Sequence, residues 1–72
     1  MKEYLAVFER GNDGGWGAYV PDLPGLAVSA ETLEEVKQLI REGIDFHIEG
    51  LRADGMPVPP PSSISEFIPV AV

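Results

Sequence analysis

Apolar and polar positions alternate in short runs over the first thirty residues, a pattern typical of β-strands. Runs at residues 3–10, 16–20 and 26–30 are rich in strand formers. A cluster of glycine, asparagine and aspartate separates the first run from the second. Pro21 ends the second run, because proline has no amide hydrogen to continue a ladder. These signals predict three strands, the first two of which are joined as a hairpin.

The sequence Pro-Asp-Leu-Pro-Gly at residues 21–25 is predicted to form the corner between the second and third strands. Pro24 and Gly25 suit the central positions of a type II turn, since proline presets φ at about −65° and glycine accepts a positive φ. Asp22 is expected to accept local backbone hydrogen bonds, as turn aspartates do. We therefore interpret Pro21, Asp22, Pro24 and Gly25 as a structural turn rather than a ligand site.

A helix is predicted to begin at Thr32 and to end before Gly55. Thr32 and Glu35 have the spacing of a capping box, in which each side chain bonds the backbone amide of the other residue. Apolar residues then recur at spacings of three and four, while polar residues fall on the opposite side. The predicted core stripe consists of Leu33, Val36, Ile40, Ile44, His47 and Leu51.

Two apolar helix residues, Leu39 and Phe46, lie outside this stripe. They are seven positions apart and share one side of the helix, roughly 100° to 120° from the core line. Two interpretations stay open. Both residues pack beneath the proline-rich segment that follows the helix, or both contact another chain.

Residues 56–63 contain four prolines and predict an extended, stiff connector. Residues 64–72 return to strand formers, and Pro69 restricts this last strand to a sheet edge or to pairing along one side. The predicted fold is α+β, a single domain over residues 1–72 with the element order β-β-β-α-β. We expect a four-stranded sheet of order 3-2-1-4, its last strand parallel to the first, with the one long helix on one face.

Surplus apolar surface predicts a homo-oligomer, at least a dimer. A chain of 72 residues buries a small core, and without cysteine it has no disulfides to supplement that core. One helix covers only one sheet face, yet both faces of the first strand carry apolar residues. The candidate contacts are the open sheet face, the helix pair Leu39 and Phe46, and the last strand with Phe67 and Pro69.

Charge narrows the class of partner. Twelve acidic residues against five basic ones give a net charge of −7, which repels phosphate backbones and favours a cationic partner. We therefore expect no binding of nucleic acid by this chain alone. No apolar run has the length of a signal peptide or a membrane span, so we expect a soluble, cytoplasmic protein without membrane contact.

The residue types for catalysis or metal binding are nearly missing. The chain has one histidine and no cysteine, so neither a paired ligand set nor a thiol nucleophile can be assembled from it. His47 lies on the apolar helix stripe, where a partly buried histidine is the ordinary explanation. The helix carboxylates spread around the helix instead of converging. We expect no enzyme activity, no cofactor and no metal.

The corner and the helix start together resemble the HicB antitoxin family. The resemblance rests on residues 14–25, which end in Val-Pro-Asp-Leu-Pro-Gly, on Thr-Leu-Glu-Glu at residues 32–35, and on residues 49–59. It implies a domain similar to part of a ribonuclease H fold, without the catalytic carboxylates of the nuclease. It also implies binding and neutralisation of HicA, a small basic toxin that cleaves messenger RNA.

The chain departs from the family in one respect, and two other functions remain as alternatives to toxin neutralisation. Many family members carry a C-terminal DNA-binding segment, and no such segment follows the last predicted strand here, which puts autoregulation in doubt. The alternative function is an orphan oligomeric binding or structural module of the same fold with no toxin partner. A ribonuclease-like hydrolase is the weakest hypothesis, because that chemistry needs carboxylates clustered around divalent metal.

Overall fold

The computed structural model describes residues 2–72 and contains three strands and one helix. The elements are β1 (Val7–Arg10), β2 (Trp16–Tyr19), β3 (Ala27–Ala30) and α1 (Leu33–Ala53). Both strand pairs are antiparallel and form one sheet of order β1-β2-β3. The predicted α+β class and the antiparallel pairing of the first three strands are therefore confirmed.

The register of the sheet assigns its two faces. Phe8, Ala18 and Val28 lie opposite one another across the three strands and belong to the hydrophobic core. The helix α1 packs over β2 and β3 and covers this face. Tyr19 belongs to the opposite face and is 40% exposed. One helix thus leaves the other face of the sheet open, as strand alternation requires.

β1 begins at Val7, later than the predicted start at residue 3. Val7 pairs with Tyr19, so two positions earlier the chain would lie opposite Pro21. The ladder stops because Pro21 has no amide hydrogen and the chain turns there. Tyr4 nevertheless packs against the core, although it lies outside the ladder.

The helix begins and ends at local capping motifs. Thr32 is the N-cap, and its hydroxyl oxygen accepts from the Glu35 amide at 3.1 Å. The same hydroxyl donates to the Glu35 carboxylate at 2.9 Å. The glutamate side chain thus contacts the side chain of Thr32, whereas the predicted capping box uses the backbone amide. At the other end Gly55 has a φ of 69° and its amide donates to the carbonyl of Arg52. This left-handed glycine ends the helix.

The predicted fourth strand over residues 64–72 is not confirmed. The sheet described for residues 2–72 has three strands, so neither the order 3-2-1-4 nor the likeness to part of a ribonuclease H fold is established. Residues 64–72 join no ladder, and we call them the C-terminal arm. Pro69 removes one ladder donor from the arm, which weakens it as a strand. The exposed large apolar residues of the arm are Ile64, Phe67, Ile68, Val70 and Val72.

Candidate protein-binding surfaces

The corner of residues 21–25 consists of two consecutive turns around a buried leucine. The Leu23 amide donates to the Val20 carbonyl at 3.0 Å, and the Leu26 amide donates to the Leu23 carbonyl at 3.2 Å. Gly25 has a φ of 90°, which the second central position of a type II turn requires. Leu23 is 0% exposed and belongs to the core. The exposed positions of the corner are Pro21, Pro24 and Gly25.

Asp22 bonds the connector that follows the helix instead of its own turn. Its Oδ2 accepts from the amides of Ser62 and Ser63, each at 2.8 Å. Its Oδ1 accepts from the two serine hydroxyls, at 3.2 Å and 2.8 Å. The expectation of local hydrogen bonds was therefore wrong. The carboxylate ties together two segments that lie 40 and 41 positions apart in the chain.

These hydrogen bonds lower the pKa of Asp22 from its usual 3.8 to about 2. The amide of Ser63 has the largest effect, followed by the amide of Ser62. Hydrogen bonds to a carboxylate favour its charged form, so they hold the proton off until strongly acidic pH. The tie between Asp22 and the two serines is therefore intact at neutral pH.

A second bond holds the same connector beside the segment that precedes β1. The hydroxyl of Tyr4 donates to the carbonyl of Pro59, 55 positions away. Val58, next to Pro59, and Ile48 of the helix lie beside Tyr4 around a shallow cavity. The connector therefore passes Tyr4 before it reaches Asp22 at the corner.

The helix side carries an exposed aromatic ring between carboxylates. Phe46 is 79% exposed and Leu39 is 39% exposed, so the proline-rich connector does not cover the phenylalanine. Glu42 lies four positions before Phe46 and Glu49 three positions after it, which makes both carboxylates neighbours of the ring on the helix surface. The amide group of Gln38 donates to Glu42 at 3.0 Å. We call Leu39, Glu42, Phe46 and Glu49 the helix-edge patch.

The C-terminal arm is the most exposed apolar segment. Phe67 and Ile64 are 102% and 92% exposed, and Pro69 is exposed between them and the chain end. Among residues 2–72, five of the nine exposed large apolar residues belong to the arm. Exposed apolar surface of this density marks contact sites in soluble proteins.

Histidine and acidic side chains are the residues that catalysis or metal binding would use. His47 is half-buried on the core side of the helix. Within residues 2–72 no three or more histidine, cysteine or acidic side chains are grouped to hold a metal ion. Among the same residues, no helix is both long and apolar enough to cross a bilayer.

Known proteins resemble this chain over most of its length. Residues 4–70 match the family model described as HicB_like antitoxin of bacterial toxin-antitoxin system. A UPF0150 protein of Synechocystis sp. is 41% identical over 56 residues, which are 78% of this chain and 71% of that protein. A 14.9 kDa protein from the rep-hol intergenic region of Haemophilus phage HP1 is 37% identical over 65 residues. That match covers 90% of this chain and 48% of the phage protein, so the chain spans about half the phage protein.

Proposed function

The chain belongs to the HicB-like antitoxin family, and we propose that it binds and neutralises a small, basic, messenger-RNA-cleaving toxin of the HicA type. Family membership supports a role in a toxin-antitoxin system. The type of toxin and the binding surface are our proposal, and the charge and the exposed side chains of the chain support them.

The observation that carries the proposal is the helix-edge patch. Phe46 is 79% exposed with a carboxylate on either side, Glu42 and Glu49. A basic partner with an apolar pocket rimmed by lysine or arginine matches this arrangement, since aromatic anchors fill the centre of interfaces and charges occupy the rim. The net charge of −7 steers such a partner during encounter.

We propose that neutralisation works by binding alone. His47, the sole histidine, is half-buried on the core stripe, and the helix-edge carboxylates flank a phenyl ring. A nuclease site of the ribonuclease type needs acidic residues converging on divalent metal. The protein therefore supports obstruction of the toxin better than any reaction of its own, and its charge disfavours RNA or DNA as a direct ligand.

We further propose a homo-oligomer that acts in the cytoplasm, where messenger RNA and its toxin meet. The exposed arm favours self-association because five large apolar side chains of one segment lie in solvent. The arm also supports a second candidate function, an oligomeric binding module of the same family without a toxin. The presence of a small basic gene beside the gene for this protein separates the two.

The test is to mix the protein with the product of any adjacent small basic gene and measure association and dissociation rates across a salt series. Phe46→Ala is expected to raise the Kd at least about 30-fold, the effect of losing a central interface residue worth about 2 kcal/mol. Phe67→Ala removes an exposed phenyl outside the patch and serves as the matched control. Its Kd should stay near that of the unchanged protein.

Charge variants distinguish contacts made by the helix-edge patch from the effect of the protein's overall charge. Glu42→Lys with Glu49→Lys changes the net charge as much as Glu3→Lys with Glu66→Lys, which lie outside the patch. Both pairs should slow association at low salt, whereas only the patch pair should also speed dissociation. Absence of any complex with a small basic neighbour would overturn the proposal in favour of the orphan module.

A further inference from the structure

We propose that the C-terminal arm of one chain adds as a strand to the open edge of β1 in a second copy. The inference rests on the self-association proposed above and specifies its contact. It joins two features that have no partner among residues 2–72 of one chain, an exposed strand-forming segment and an unpaired sheet edge.

The arm has the composition of a strand and the exposure of a segment without a partner. Ile64, Phe67 and Val70 are 92%, 102% and 70% exposed. Its one charged residue is Glu66. The radius of gyration of 13.9 Å exceeds the roughly 11 Å of a compact chain of this length. The longest dimension, 47 Å, also exceeds the roughly 31 Å of a 21-residue helix. The arm thus extends beyond the packed part of the molecule.

The receiving edge is that of β1. The sheet order leaves β1 paired with β2 alone, so its other side presents backbone amides and carbonyls without ladder partners. The helix packs over β2 and β3 and does not cover β1. Such an edge is a template for an added strand, because main-chain hydrogen bonds supply affinity whatever the side chains are.

The path of the connector favours a second copy over the chain's own edge. The connector meets Tyr4, three residues before β1, through Pro59, and is then fixed at Ser62 and Ser63 by Asp22. Asp22 follows β2, so the arm begins near the end of β2 and not beside β1. Four hydrogen bonds hold the base of the arm at this corner. The arm therefore starts one strand beyond the edge that it would pair with.

Pro69 decides which side of the arm can pair. Successive residues of a strand direct their amides and carbonyls to opposite sides, and one residue uses both groups with the same neighbour. Pro69 has no amide hydrogen, so the side that it shares with Phe67 and Ala71 is defective. The ladder therefore uses the side presented by Ile68, Val70 and Val72.

Exchange of arms between two copies gives a closed dimer. In a twofold dimer each copy gives one arm and receives one, so both arms and both β1 edges are covered. The contact is apolar, and the two copies each carry a charge of −7. Salt screens this repulsion, so the dimer should strengthen as salt rises. Binding of a basic toxin should weaken under the same change, which keeps the two associations distinguishable.

The test compares two proline variants by analytical ultracentrifugation of the full chain over a concentration series. Val70→Pro removes an amide from the proposed ladder side and is expected to raise the dimer Kd at least about tenfold, the effect of losing about one net hydrogen bond with its packing. Ala71→Pro places the same residue on the opposite side and should leave the Kd within a few-fold of the unchanged protein. Circular dichroism checks that both variants keep the helix.

The outcomes distinguish self-association in general from arm exchange in particular. A dimer that dissociates on Val70→Pro alone supports arm exchange. A dimer that both variants weaken equally, or that neither weakens, overturns arm exchange while self-association stands. A strict monomer at tens of micromolar overturns self-association and arm exchange together. Toxin binding by the same samples is a separate measurement and does not depend on any of these results.

Discussion

Ser63 donates two hydrogen bonds to the carboxylate of Asp22, one from its amide and one from its hydroxyl, each at 2.8 Å. The two residues lie 41 positions apart, so this contact closes a loop that contains β3 and the whole helix. It fixes the connector at the corner and sets the point from which the C-terminal arm leaves. The corner therefore anchors the chain's C-terminal region.

The Asp22 anchor makes the protein sensitive to acid in a defined range. Asp22 has a pKa of about 2 in the folded protein against 3.8 ordinarily, so its contribution to stability is complete above about pH 4. The contribution is lost as pH falls through about 2, because protonation removes the charged acceptor. We expect the protection of the Ser62 and Ser63 amides, taken as the exchange rate relative to the intrinsic rate at each pH, to fall over this range; hydrogen exchange with mass spectrometry measures it.

Two variants control this pH experiment. Asp22→Asn removes the charge and one acceptor oxygen, so exchange at the two serines should be fast already at neutral pH. Asp45→Asn changes an exposed helix carboxylate in the same way and should leave the serines protected. Titration of the Asp22 carboxyl near its usual 3.8 would contradict the anchor.

The burial of Leu23 predicts a large loss of stability on truncation. Leu23 is 0% exposed, so Leu23→Ala should lower the free energy of unfolding by about 2–5 kcal/mol, the range for a buried leucine. Leu39 is 39% exposed, and Leu39→Ala should cost less than about 1 kcal/mol. Urea unfolding followed by circular dichroism gives both values.

Leu23→Met keeps the test informative if Leu23→Ala does not fold. This change conserves volume and should cost less than about 1.5 kcal/mol. Equal stability of the Leu23→Ala and Leu39→Ala variants would show that Leu23 contributes no more to core packing than an exposed leucine does.

Two helix glycines give a matched pair of stabilising substitutions. A Cβ atom at Gly50 meets nothing within 4 Å, so Gly50→Ala should raise the free energy of unfolding by about 0.5–1 kcal/mol through helix propensity. A Cβ atom at Gly43 lies 3.0 Å from Cδ1 of Leu26, where the helix crosses β3. Gly43→Ala should therefore gain less. Thermal unfolding compares them, and a larger gain at Gly43 would mean that the helix lies farther from the sheet.

Local motifs made much of the fold predictable from the sequence. The helix start depends on Thr32 and Glu35, three positions apart, and the turn depends on the adjacent Pro24 and Gly25. Such signals act over a few residues, so no knowledge of the rest of the chain is needed to interpret them.

The contacts that could not be predicted all join distant segments. Nothing near Asp22 signals that its partners are Ser62 and Ser63, because serines in a proline-rich connector are ordinary surface residues. The arm shows the same limit. Strand-forming residues at 64–72 indicate an extended conformation, but β-propensity does not specify which edge a strand joins. The end of the β1 ladder opposite Pro21 also depends on a register that single strands do not reveal.

The most direct test of the antitoxin assignment is a titration of toxin activity. A fixed concentration of the small basic toxin is incubated with labelled messenger RNA and increasing amounts of this protein. We expect cleavage to fall in proportion to added protein and to stop at a fixed molar ratio, with Phe46→Ala shifting the curve to higher concentration and Phe67→Ala leaving it in place. Cleavage that continues unchanged in excess of this protein, at a salt concentration where the toxin is active, would contradict the account.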